Sequence, residues 1–473
     1  MKKIFKSIIG CATVALMASM MSACSEKIDV QTGVEATPES GIKTCAMNFE
    51  GGVVGFDKTP TKAASANWSD GDKIYIIFYN GTTMVPGEAT YSAAGGWNVS
   101  YDGDLAKGTG LKCEVRHFVN ATFSSASLVS LNSETEIYEA TNGSYEYNGT
   151  TLTVQASMTP KTGRIRFSGK SGEEIHITGI SVYTTYSPAL NTFSSTKSMI
   201  TTTVATDGYT TYIYGSLADS NKKLGLVGSD FAFTRTCTDA VLKVGDSGYM
   251  AIPSESSHNN WRSGLYVTVE GVEFKMIPVA GHTSGFFMMG ETEVTTSLYN
   301  KVNGSSSTSE TPIDNISYST ISTWLEKLNN TTQLSFSLPS SSQWLYAAKG
   351  GKNSQNYTYC GSNNAGDVAW YEANCSAKQT AKTKAPNELG IYDMSGNVAE
   401  FTSTMYNSYY PQIYGGSYLA KVANVSKGSY FDTASPNSSD EWYYTYGKSS
   451  GYQYTESGCK ANGIGFRLML TCK

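Results

Sequence analysis

Three sets of residues in this chain have types and spacings that could do chemistry. Gly245-Asp246-Ser247-Gly248 could present a serine nucleophile. A serine hydroxyl attacks only when a histidine takes its proton and an acid orients that histidine. The four histidines, His117, His176, His258 and His282, stand in no supporting motif. The tetrapeptide is therefore read as a turn between strands. Cysteine is the second set. Of nine, Cys11 and Cys24 lie in the N-terminal segment considered below, leaving Cys45, Cys113, Cys237, Cys360, Cys375, Cys459 and Cys472. An odd number leaves at least one thiol unpaired. Cys360 with Cys375, or Cys459 with Cys472, could pair in an oxidising compartment, and spacing does not choose between them. No Cys-x-x-Cys is present, so a zinc site or a redox centre of that type has no support. His-Glu-x-x-His, Walker and dinucleotide motifs are absent too.

The third set does recognition rather than reaction. Tyrosines crowd the last seventy residues: Tyr406, Tyr409, Tyr410, Tyr414, Tyr418, Tyr430, Tyr443, Tyr444, Tyr446, Tyr452 and Tyr454, with Trp442, among Ser, Asn and Gly. Tyrosine offers a large rigid surface at low entropic cost, and small polar neighbours adapt around it, as in antibody paratopes. Tyr409, Tyr410, Tyr430, Trp442, Tyr443, Tyr444, Tyr446 and Tyr452 are the expected ligand-binding residues. About half of the twelve aromatic rings in this tail should be core.

Lys2, Lys3 and Lys6 form a positive n-region before an apolar stretch, Ile8 to Met21, too short for a stable transmembrane helix. Met21-Ser22-Ala23-Cys24 resembles a bacterial lipobox. It implies a signal peptide over 1–23, acylated Cys24 as a membrane anchor, and a linker over 24–41. The alternative is ordinary secretion with cleavage near Ala23. Glu26 and Asp29 resemble an acidic surface-export signal, interrupted by Lys27. The expected location is the outer membrane, lipid-anchored, on its periplasmic or cell-surface side. A net charge of -5 over 473 residues carries no basic patch for nucleic acid.

The elements that must position these groups follow two grammars. From about Ile42 to Ser263 the hydrophobic period is two. Lys73 to Tyr79 is a strand, with Asn80-Gly81 as a hairpin signal. In Arg164-Ile165-Arg166-Phe167 the apolar pair should face a core and the arginines water. Val154 to Met158, Ile175 to Val182, Tyr209 to Tyr214 and Tyr249 to Ile252 repeat the pattern. Two β-sandwiches, 42–150 and 151–263, are expected. From 264 to 473 helices enter. Ile321, Trp324, Leu325 and Leu328 define one apolar face of a helix starting near Ser317 to Ser319. Ser340 and Gln343 form a capping box for a helix from Ser341 to Lys349, ending at Gly350-Gly351.

Residues Gly390 to Phe401 (GIYDMSGNVAEF), Gly463-Ile464-Gly465-Phe466-Arg467-Leu468 and Leu338 to Ala348 resemble the signature of formylglycine-generating, or sulfatase-modifying-factor, domains. The resemblance implies an α+β fold of the C-type lectin group. Where the family has glutamates in the helix after its Leu-Pro, this chain has Ser341, Gln343 and Leu345. The family's oxidation of a sulfatase cysteine uses two cysteines that bind copper shortly after a Gly-Gly-Ser strand. Here that strand is Gly415-Gly416-Ser417-Tyr418, and the family spacing lands on Ala420 and Val425. Neither can bind a metal, so copper and enzymatic activity are not expected. Relatives also hold calcium, for which Asn374, Asn397 and Glu400 remain as oxygen ligands. The equal alternative is that Asn397 and Glu400 only hydrogen-bond the adjoining loop.

Trp68-Ser69-Asp70-Gly71-Asp72-Lys73-Ile74, Met158 to Ile165, and Gly248 to Pro253 resemble fimbrillin-family lipoproteins, built of paired transthyretin-like sandwiches. The combined expectation is a multidomain envelope lipoprotein: fimbrillin-type sandwiches carrying a C-type-lectin-like formylglycine-generating-enzyme-type head that binds a protein or glycan. The alternatives are a fimbrial subunit that exchanges strands with other subunits, and an oxidoreductase with a rebuilt cysteine site.

Overall fold

A computed structural model describes residues 42–56, 60–62, 68–125, 128–218, 222–229, 231–237, 242–252, 263–405, 411–425, 430–431, 453–455, 458–460 and 462–471. The leader, the linker and Cys24 lie outside them. No helix among the described residues is long and apolar enough to cross a membrane.

The first region is one sheet of eight strands. Its labelled strands are β1 (Ile42–Val54), β2 (Lys73–Asn80), β3 (Thr83–Ser92), β4 (Gly96–Asp102), β5 (Gly108–Val119), β6 (Glu136–Tyr147) and β7 (Leu152–Pro160). The order is β7-β6-β5-β2-β3-β4-β1, and a parallel pairing of β1 with β7 joins its ends. The layers around this core are thus parts of one hydrogen-bonded sheet. β2 and β3 meet at Asn80 and Thr83, as the Asn80-Gly81 signal predicts. Alternation fills the interior: Ile74, Ile76 and Phe78 are buried against Val99, Val115 and Val154. The boundary expected at 150 falls inside this sheet, because β7 completes it.

The second region holds β8 (Gly163–Ser168), β9 (Glu174–Thr178), β10 (Ile180–Ser187), β11 (Ile213–Leu217), β12 (Lys223–Val227) and β13 (Ser247–Ala251). One sheet runs β13-β8-β11-β10 and continues into the strands Leu128–Ser130 and Thr122–Ser125. A second includes β9 and β12. The run Ile175 to Val182, read as one strand, is two strands in different sheets. Gly179 separates them with φ 88°, and a Cβ there would lie 2.0 Å from the Lys223 carbonyl oxygen. Only glycine fits that approach.

The third region begins with β14 (Leu265–Val269), β15 (Val272–Val279) and β16 (Phe287–Gly290), then α1 (Thr296–Val302), α2 (Tyr318–Thr332), β17 (Phe336–Ser337) and α3 (Ser341–Ala348). It closes with β18 (Ala399–Met405), β19 (Pro411–Tyr414), β20 (Ile464–Phe466) and β21 (Met469–Leu470). One sheet has the order β14-β15-β16-β21-β17, and another pairs β19, β18 and β20. α2 starts at its Ser317 cap and buries Ile321, Trp324 and Leu328. α3 carries the Ser340–Gln343 capping box in full, and Gly350 follows it with φ 86°. α1 was not anticipated, since seven residues hold too little periodicity to register. Val227 and Ala232 of the second region pack into the core of the third, and Lys223 pairs with Glu273 across the seam.

Candidate functional site

The signature residues converge in the core of the third region. β18 brings Glu400 and the segment after β20 brings Arg467, both fully buried. Arg467 Nη2 donates to Glu400 Oε1 at 2.7 Å, and Nε lies 3.1 Å from both carboxylate oxygens. Its remaining donors reach the Gly290 carbonyl at 2.9 Å and the Tyr392 carbonyl at 2.8 Å. Trp344 of α3 completes the set, its Nε1 donating to Glu400 Oε2 at 2.6 Å. The Arg467–Glu400 pair therefore ties together β16, the 390s loop, α3 and β18. Charge-assisted bidentate bonds of this kind are the strong ones.

Two further acids lie close by. Asp393 takes a backbone N–H from Lys382 at 2.7 Å on Oδ2, and Glu293 Oε1 sits 3.4 Å from the Val398 N–H. The other oxygen of each, Asp393 Oδ1 and Glu293 Oε2, finds no partner among the described residues. Burial, then the Asp393 charge, pushes Glu293 well above the ordinary carboxylate range, against the pull of Arg467. Burial likewise raises Asp393 to about 6 despite its Lys382 bond and Arg467. Three acids facing one arginine cannot all ionise cheaply in a dry core.

The expected reactive positions follow the Gly415-Gly416-Ser417 strand end, where the Ala420 N–H donates to the Ser417 carbonyl at 2.9 Å. Ala420 and Val425 are both fully buried and share a small apolar cluster with Ala365 and Ala369, flanked by Tyr359 and Tyr371. A methyl and an isopropyl group offer no ligand atom, so these residues do not fit copper. Nor does a rebuilt thiol pair take their place among the described residues. Cys360 and Cys375 are both free, which corrects the pairing left open above. Cys360 is buried, its thiol donates to the Met394 carbonyl at 3.3 Å, and burial raises it to about 12. Cys375 is half-buried, donates to the Tyr371 carbonyl at 3.4 Å and is also raised by burial. Neither has the depressed pKa of a reactive thiolate. The Cys459 side chain and Cys472 lie outside the described residues.

The three residues expected to hold calcium make other bonds here. Glu400, the only anion of the three residues, is occupied by Arg467 and Trp344. Asn397 closes a loop: its Oδ1 accepts from the Gln379 N–H at 2.9 Å and its Nδ2 donates to the Gln379 carbonyl at 3.3 Å. Asn374 Oδ1 accepts from the Tyr371 N–H at 2.9 Å, and its Nδ2 donates to the Ala369 carbonyl at 3.0 Å. The three residues are loop and core fasteners and do not fit a calcium ion, which needs six to eight oxygens. Gly396, beside Asn397, is required because a Cβ would lie 2.2 Å from the Trp370 carbonyl oxygen.

Of the expected ligand-binding residues, Tyr409, Tyr410, Trp442, Tyr443, Tyr444, Tyr446 and Tyr452 lie outside the described residues. Tyr430 stands in the strand Tyr430–Phe431, and nothing of its side chain is described. Ser247 accepts from Arg164 Nε at 2.7 Å, and His258 lies outside the described residues. His117 meets the Lys73 carbonyl, His176 meets Thr201 and Glu174, and His282 meets Ser284. The role of Arg467 was missed, although it was quoted in the signature. An arginine inside an otherwise apolar run, Phe466-Arg467-Leu468-Met469-Leu470, was the available signal.

With this geometry in place, residues 267–472 match the family of sulfatase-modifying factor enzyme 1-like domains. The C-terminal region carries a domain of that type. A curated relative, the chaperone protein LppX of Paenibacillus barcinonensis, is 45% identical over 85 residues, 14% of this chain. The chain spans 30% of that relative's length. Among solved structures, Treponema denticola variable protein 1 is 20% identical, with 44% of this chain and 99% of that one covered and a TM-score of 0.36. A fimbrial protein from Bacteroides ovatus is 9% identical, with 90% and 99% covered and a TM-score of 0.23.

Proposed function

We propose that this is a cell-envelope lipoprotein whose sulfatase-modifying-factor-type domain is noncatalytic and binds a protein or glycan ligand. The observation that carries the reading is the apolar cluster of Ala420, Val425, Ala365 and Ala369 at the positions where the resemblance calls for copper thiolates. The signature residues that remain, Trp344, Glu400 and Arg467, act on the fold. A domain that keeps its framework without its thiols retains a scaffold for presenting loops. The tyrosine-rich segment from Tyr406 to Tyr454 supplies the residue types of recognition chemistry.

Two measurements test this. Cu(I) titration against a competing chelator, with oxygen uptake in the presence of a cysteine peptide, should show neither stoichiometric metal binding nor oxygen consumption. Tight binding of one Cu(I) with thiol-dependent oxygen uptake would overturn the noncatalytic reading. A glycan and protein array probed with the chain and with Trp442→Ala/Tyr443→Ala should show ligands that the variant loses. Retention of every ligand by the variant would sink the assignment to the tyrosine-rich segment.

A further inference from the structure

Arg166 lies mid-strand in β8. Ile165 and Phe167 beside it are buried in the core, so the pleat turns Arg164, Arg166 and Ser168 to the opposite face. That face is not the open water expected for the arginines. The Arg166 guanidinium carbon lies 4.4 Å from the ring centre of Tyr209 and 5.0 Å from that of Tyr212. Arg164 is stacked too, 4.2 Å from Tyr212 and 4.6 Å from Phe56, but it also donates to Ser247. Arg166 makes neither an ion pair nor a hydrogen bond among the described residues. The acids of the adjoining segments bond to hydroxyls: Glu134 accepts from Thr211, and Glu136 from Tyr214 and Tyr138.

Beside this cation, Tyr249 of β13 presents its ring to solvent at 58% exposure. Its ring centre is 6.2 Å from that of Tyr209, and its hydroxyl meets Ser168 Oγ at 2.5 Å. A guanidinium is a planar fork that takes carboxylate or sulfate through two parallel bonds. Stacking on Tyr209 and Tyr212 fixes the plane of the fork before any ligand arrives, which lowers the cost of ordering it on binding. A flat ring with a polar rim next to an unpaired cation matches a sugar whose apolar face is bordered by hydroxyls and whose substituent is acidic.

We infer that the outer face of β8 and β13 is a subsite for an acidic glycan. The Arg166 guanidinium takes its carboxylate or sulfate, and the adjoining sugar ring lies on Tyr249. This site lies outside the C-terminal domain and stands or falls independently of the role proposed for that domain.

Calorimetry on the full chain tests it with three probes of equal length: a galacturonate hexamer, a sulfated dextran hexamer and uncharged dextran. At least one acidic hexamer should bind with a submillimolar Kd, and the neutral one at least about tenfold more weakly. Arg166→Gln should weaken acidic binding about tenfold or more, and Arg166→Lys, which keeps charge but loses the fork, by less. Tyr249→Ala, at an exposed position that does not endanger folding, should weaken it about threefold to tenfold. The assignment is overturned if neither acidic hexamer binds. It also fails if Arg166→Gln or Tyr249→Ala binds like the parent chain, if neutral dextran binds equally well, or if inorganic sulfate alone binds as tightly as the hexamers.

Discussion

Glu114 in the first sheet and Glu400 in the C-terminal domain each meet an arginine, but their surroundings differ in kind. Glu114 sits on the outer side of β5, where it accepts from Tyr79 Oη at 2.9 Å, Asn191 Nδ2 at 3.0 Å and Arg116 Nη2 at 2.9 Å. Burial alone would raise its pKa, but these donors outweigh it and hold the carboxyl down at about 2. There the donors outnumber the acid. In the C-terminal domain Glu400, Glu293 and Asp393 share one fully buried arginine, and the two acids without their own guanidinium are pushed up. The first arrangement decorates a sheet that its apolar interior already holds. The second is the interior, so its loss should be felt throughout the domain.

The largest expected effect separates the two arginines. Arg467→Met should destabilise the C-terminal domain by about 3–5 kcal/mol, because it leaves Glu400 buried without a cation. Arg116→Met should cost about 1–2 kcal/mol, since Glu114 keeps two other donors. Amide hydrogen exchange, followed separately in β18 and β5, would report each region. Equal losses would break the contrast. Next in size, Trp344→Phe removes one donor to Glu400 without emptying the ring's place and should cost about 1–3 kcal/mol, read from β18 protection.

The two regions should also answer pH with opposite signs. Asp393 is raised from 3.8 to about 6, so the fold holds its proton more tightly than the unfolded chain does. Its stabilising contribution is complete below about 3.8 and fades as pH rises through about 6. Glu114 is lowered from 4.5 to about 2, so its contribution is complete above 4.5 and is lost as pH falls through about 2. Exchange protection of β18 and β20 should therefore decline across the first window, and that of β5 across the second. Asp393→Asn should flatten the first decline and leave the second alone. Asparagine tolerates the left-handed φ of 57° at this position. The smallest effect is Ser340→Ala, which removes a cap from α3 and should cost about 1 kcal/mol. A larger cost would mean that Ser340 holds more than its helix end.

Much of the fold was legible where the governing physics is local. The Asn80-Gly81 hairpin, the alternation of Ile165 and Phe167 and the Ser340–Gln343 box involve residues a few positions apart, and all stand as read. The division of Ile175 to Val182 was not legible, because Gly179 is needed for the approach of Lys223, more than forty positions away. The site followed the same rule. Counting from Gly415-Gly416-Ser417 pointed to Ala420 and Val425, and both are buried apolar residues. Their joining with Ala365 and Ala369, fifty residues earlier, could not be counted.

The sequence by itself determined that this chain carries the signature of a sulfatase-modifying-factor domain and that alanine and valine stand at positions 420 and 425, because side-chain identity at a position needs no coordinates. It also determined which segments are strands and helices where period and caps act over one or two turns. Only the tertiary structure decided what the signature does here. Glu400 and Arg467 are sixty-seven positions apart, and whether such a pair binds calcium, catalyses or fastens a core depends on what else reaches it. Trp344, Gly290 and Tyr392 reach it from three other segments, and that convergence makes it a fastener. The stacking of Arg166 on Tyr209 and Tyr212 was decided in the same way, by the side-by-side pairing of segments that the linear order keeps apart.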